Sequence, residues 1–193
     1  MKLVLPIFVL AAIVGRLSGG RFSNLDRLRP AWMPLALIGF ALQVAPVPGT
    51  WPLVLLLASF VVLFIFAVRN VRLPGFPLVL LGVVLNGLVI GVNHGMPVSE
   101  RAIVASGQED ALAGLVAAPT AKHHLAGDDD ELLFLGDVIA IPQPVGQIVS
   151  VGDVFTYAGA AWVIVAGMRR RSAIVARVPV PLRVPEGEGA RAS

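Results

Sequence analysis

The sequence predicts an all-α integral membrane protein: a bundle of about five transmembrane helices with one long external loop carrying short helices. Three observations predict it. Of 193 residues, 56% are hydrophobic and 14% charged, against about a quarter charged in an ordinary soluble domain. Charge-free apolar runs recur at roughly the length needed to cross hydrocarbon. The basic residues gather at alternate ends of those runs. So few charges cannot screen so much apolar side chain from water, which excludes a soluble globular domain and makes lipid the solvent for most of the surface.

The first apolar run is Leu3 to Gly15, extended by Leu17 to Gly20 beyond Arg16. A signal peptide with Lys2 as its basic region is the alternative, but no small-x-small cleavage site follows. Four arginines (Arg16, Arg21, Arg27, Arg29) trail the run, which favours a retained helix with its N-terminus outside. Ala31 to Val47, Trp51 to Val68, Leu73 to Val92 and Val154 to Met168 supply the other four spans. With this topology Arg69, Arg72 and the arginines from Arg169 onward join the first four on the cytoplasmic side, twelve in all. Lys2, Arg101 and Lys122 alone lie outside. The expected location is a bacterial cytoplasmic membrane, N-terminus outside and C-terminus inside.

Eight acidic residues (Glu100, Glu109, Asp110, Asp128, Asp129, Asp130, Glu131, Asp137) lie between the fourth and fifth spans, in an external segment over residues 93–152. A connection of this length carries its own elements or a function. Ser99 reads as the N-cap of a helix through Ala105, and Gln108 to Ala118 as an amphipathic helix. Asp128 to Glu131 has capping-box spacing ahead of a turn at Leu132. Leu132 to Ile141 is apolar but too short to span, so it is expected to lie in the interface or re-enter the membrane edge. Residues 1–168 form the transmembrane domain and 169–193 a basic cytoplasmic tail, disordered from Arg177 by its Val-Pro repeats.

The net charge of +3 does not point to nucleic acid, because the positive residues flank apolar runs instead of forming a soluble patch. All but Lys2 and Lys122 of the 15 basic residues are arginine, a composition that fits a GC-rich bacterial genome. Cysteine is absent, which removes disulfides and thiol chemistry. No P-loop, nucleophile elbow, zinc-protease or dinucleotide motif occurs, and no cofactor is implied.

The candidate functional residues are therefore polar groups beside apolar sequence: Asn93 and His94 at the end of the fourth span, Lys122-His123-His124, Asp137 and Asp153. Adjacent histidines on a helix point about 100° apart and do not form an i, i+4 zinc clamp. The 128–131 acidic run lacks the ligand pattern of a calcium loop. Asp137 interrupts an apolar stretch and calls for a partner such as Lys122 or a histidine. Asp153 suits a helix N-terminus or a functional acid. Gln43 and Asn86 sit within spans, where amides bond between helices.

Four blocks carry a resemblance: Asn93 to Ser99 (N-x-G-M-P-V-S), Lys122-His123, Leu135 to Ile139 (L-G-D-V-I) and Ser150 to Val154 (S-V-G-D-V). Together they resemble a bacterial membrane-protein family termed domain of unknown function 5317, over about residues 1–168. The resemblance implies a small multi-pass bacterial membrane protein and supplies no activity, ligand or site residues. Three readings follow. The external segment binds a lipid headgroup, a membrane-protein partner or a second copy; or His/Asp pairs perform acid–base chemistry on a lipid-linked or small substrate; or an oligomer transports a solute.

Overall fold

A computed structural model describes residues 2–45, 51–117 and 122–169. The expected tail thus lies outside the described residues, apart from Arg169. The chain is mostly helical. Three helices are long and apolar enough to cross a membrane: α3 (Trp51–Arg69), α4 (Phe76–Asn93) and α7 (Val151–Arg169). Two of the five expected spans are shorter: α1 (Val4–Leu17) has 14 residues and α2 (Met33–Val44) has 12. Two small helices, α5 (Glu100–Ala105) and α6 (Glu109–Ala117), lie in the segment between α4 and α7, where the caps and periodicity placed them. Ser99 holds the N-cap position of α5 but makes no side-chain capping bond.

The expectation of an all-α chain is corrected by a four-stranded sheet in that same segment, ordered β2-β1-β3-β4. β1 (Met96–Val98) pairs in parallel with both β2 (His123–Leu125) and β3 (Asp137–Ile141), and β3 forms an antiparallel hairpin with β4 (Gln147–Ser150). Within Leu132 to Ile141 a 3-10 turn over Leu133–Leu135 leads into β3. The physical reason is that the β-branched run Val138 to Ile141 has a matching run, Ile148-Val149, across a turn closed by Gly146 N donating to Pro142 O. The expected capping box does not form either. Asp130 accepts from Gly127 N at 2.8 Å, and Leu132 enters the turn in the left-handed conformation at φ 53°.

The helices alternate in direction. Lys2 and Leu3 bond to Gly146 O and Gln147 Oε1, which places the start of α1 at the sheet end. At the opposite end Arg21 N and Asn24 Nδ2 donate to Met168 O, and the buried Asn70 holds both backbone groups of Ala31. Arg16, Arg21, Arg69, Arg72 and Arg169 thus all belong to the end away from the sheet. The Arg69 guanidinium lies 5.7 Å over the Trp32 ring there.

Tight packing joins α4 to α7 through glycines seven residues apart on each, Gly75 and Gly82 against Gly152 and Gly159. A Cβ on Gly159 would lie 2.7 Å from Gly75 O and from Val79 N, so only hydrogen fits there. The sheet rests on the helix ends through a core of Leu56, Val89, Ile90, Met96 and Leu135.

Candidate functional site

The sheet and helix ends enclose a cavity of about 630 Å³. Four of the seven expected residues, Lys122, His123, Asp137 and Asp153, meet on its wall. The remaining three do not. Asn93 is a latch: its Nδ2 donates to Val89 O and Glu131 O, and its Oδ1 accepts from Glu131 N at 2.7 Å. His94 is exposed and ends α4 in the left-handed conformation, with Gly95 N donating to Ile90 O. His124 turns away, pairing through Nε2 with Asp130 Oδ1 at 2.8 Å.

The split between His123 and His124 follows from β2. Successive side chains of a strand point to opposite faces, not 100° apart as on a helix. His123 therefore lines the cavity while its neighbour meets the 127–130 loop.

Asp153 is both cap and wall. Its backbone N–H donates to Ser150 Oγ at 3.0 Å, and its Oδ2 accepts from Ser150 N at 3.4 Å, a reciprocal box at the start of α7. Its Oδ1 faces α4, where Asn86 Nδ2 donates at 2.8 Å. The Asn86 Oδ1 in turn accepts from Ser150 Oγ at 2.8 Å. Asn86 thus plays the interhelical role that an amide within a span suggests.

Asp137 Oδ2 lies 4.0 Å from His123 Nε2, and its side chain is only 14% exposed. Among the described residues no hydrogen bond reaches that carboxylate. Burial, and then the Asp153 charge, push it up to about 7. Half the His123 side chain is accessible, yet the ring sits in the recess, and burial followed by the Lys122 charge holds it below the ordinary histidine value. Lys122 Nζ donates to Gln43 O at the end of α2.

Two wall residues carry no motif that singles them out. Gln147 accepts from Leu3 N and bonds Tyr157, so the N-terminus, the hairpin and α7 meet at one amide. Tyr157 follows Asp153 by four residues and so shares its helix face. Its being the chain's single tyrosine, on an apolar helix, was the available signal. Gln43 and Asn86 add two more amides to the wall, and its apolar part includes Phe40 and Val44 of α2, Leu56 and Phe60 of α3, Ile90 of α4 and Met96 of β1.

The fold and site define a class: a helical protein whose long apolar helices carry a small mixed sheet over a polar-and-apolar cavity. The chain belongs to a family of unknown function, DUF5317, whose model matches residues 27–165. A Thermotoga maritima protein described as uncharacterized is 31% identical over 160 residues, covering 81% of this chain and 87% of that one. No solved structure matches the chain.

Proposed function

We propose that the chain is a multi-pass protein of a bacterial cytoplasmic membrane that binds the polar headgroup of an amphiphile in the cavity under its sheet. The observation that carries this reading is the mixed wall. Gln43, Asn86, Asp137, Gln147, Asp153 and Tyr157 offer polar contacts, while Phe40, Leu56, Phe60 and Ile90 offer apolar ones. A ligand with one polar and one apolar end satisfies both.

The orientation rests on the arginine-bearing end lying opposite the sheet, which puts the arginines in the cytoplasm and the sheet outside. At 1.5 Å per residue α1 and α2 extend about 21 and 18 Å, so five crossings require flanking residues or a locally thinned bilayer. Reporter fusions after Gln108 and Arg171 should read external and cytoplasmic, respectively.

Binding is tested by thermal unfolding of the delipidated, detergent-solubilised protein against a panel of lipids. At least one headgroup class should raise the midpoint, as binding to the folded state alone requires. No shift with any lipid would remove the reading. A second reading rests on the His123–Asp137 pair, which provides a neutral base beside a carboxyl titrating near neutrality, suited to acid–base chemistry on a lipid-linked substrate. Full cellular phenotype in both His123→Ala and Asp137→Asn strains would eliminate it.

A further inference from the structure

The cavity has a side that helix packing leaves open. α2 packs on α3, α3 on α4, α4 on α7 and α7 on α1, so α2 and α7 face one another without extended contact. Away from the sheet they are drawn together, since Leu35 and Ala36 of α2 and Val163 of α7 share a cluster with Phe66 and Phe76. Toward the sheet Phe40, Ala41 and Val44 of α2 and Asp153 and Tyr157 of α7 line the cavity instead. Phe40 and Val44 are 53% and 71% exposed, so the α2 side of this wedge is apolar and accessible.

We propose that a membrane lipid with an ammonium-bearing headgroup enters this cavity sideways between α2 and α7, its ammonium at Asp137 and Asp153 and its chains leaving along Phe40 and Val44. This rests on the headgroup-binding reading above and names the lipid class. Two carboxylates face the cavity, and they differ in how they are satisfied. Asp153 is held by Asn86 and Ser150, whereas the Asp137 carboxylate receives no hydrogen bond from any described residue. The nearest ring nitrogen, on His123, stands 4.0 Å away. A primary ammonium brings three donors and a positive charge. Its neighbouring phosphate would meet the positive charge of Lys122 on the same wall. An anionic headgroup lacking an ammonium would set like charges against both carboxylates. Tails of a lipid held this way need an apolar exit at the level of the bilayer, and the wedge beside Phe40 and Val44 is such an exit.

The test is thermal unfolding of the delipidated full-length protein with three probes: phosphatidylethanolamine, phosphatidylglycerol and tail-free glycerophosphoethanolamine. Phosphatidylethanolamine should stabilise, and the other two should not at equal concentration. Asp137→Asn should weaken the phosphatidylethanolamine effect by about tenfold or more, the equivalent of one charge-assisted bond. Ala41→Trp, which fills the wedge, should abolish it; should that variant misfold, the nearly isosteric Asp137→Asn still decides. Equal stabilisation by phosphatidylglycerol would overturn the ammonium assignment while leaving headgroup binding intact. Equal stabilisation by glycerophosphoethanolamine would overturn sideways entry. No response to phosphatidylethanolamine while another lipid of the wider panel stabilises would overturn this inference alone, and no shift with any lipid of the panel would remove the headgroup reading as well.

Discussion

Asn86 Nδ2 donates to Asp153 Oδ1 across 2.8 Å, and its own Oδ1 accepts from Ser150 Oγ at 2.8 Å, so one buried amide joins α4 to both the hairpin and α7. Replacing it with Leu keeps approximate volume but leaves a hydroxyl and a carboxylate short of a partner. Unsatisfied buried groups cost about 1–3 kcal/mol each, more when charged. Asn86→Leu should therefore unfold at a clearly lower temperature in detergent. Ser150→Ala should lose less, and the Asn86→Leu/Ser150→Ala double variant should fall short of the sum.

The glycines between α4 and α7 set how near the helices come. A Cβ on Gly152 would stand 2.8 Å from Gly82 O and collide with the Asn86 amide. Gly152→Ala should cost about 1–3 kcal/mol through overpacking. A Cβ on Gly114, inside α6, would have no heavy atom within 4 Å, so Gly114→Ala should gain up to about 1 kcal/mol from helix propensity. Opposite shifts of the unfolding midpoint in the two variants would check the packing argument; equal shifts would contradict it.

The two adjacent histidines should separate functionally. His124→Ala removes the 2.8 Å contact to Asp130, whose other oxygen holds Gly127 N, so it should loosen residues 127–130 for about 1 kcal/mol. Faster amide exchange at Gly127 with an unchanged lipid response is the expected result. His123→Ala should change the lipid response and leave that amide protected.

The long helices were legible because mostly apolar stretches of 18 or 19 residues leave little choice of structure, and the alternating arginines are local to their ends. Asn86 was legible for the same reason, as an isolated amide in such a run. The sheet was not. β1 and β2 are three residues each, too short to display a period, and their pairing of Met96 with His123 spans a segment that no local pattern connects. The hairpin did leave a trace, in β-branched residues on both sides of Pro142 to Gly146, but its apolar length argued for the membrane interface. Treating Lys122 to His124 as helical then gave the wrong angular relation between the two rings. Asp137 drew attention as an acid interrupting an apolar stretch, and the fold sets His123 Nε2 4.0 Å from its Oδ2.

Asp137 also makes stability depend on pH in a defined direction. In the unfolded chain its carboxyl ionises near pH 4, while burial and the Asp153 charge hold the folded carboxyl protonated until about 7. Between those values the folded state binds more protons than the unfolded one, so stability falls as pH rises and levels off above about 7. A shift of this size corresponds to a few kcal/mol at most, at about 1.4 kcal/mol per pH unit. His123 works against this at the acid side, because its lowered value makes the folded state lose stability as pH falls below about 6.5. Lys122, Asp153 and Tyr157 line the same cavity and are common to wild type and variant. The difference between wild type and Asp137→Asn therefore isolates the Asp137 contribution. Without ligand, Asp137→Asn should gain on wild type between pH 5 and pH 7.5, measured as unfolding midpoints in the same detergent. A constant difference across that range would mean that the Asp137 carboxyl is already ionised in the folded protein, and that the recess does not shield it.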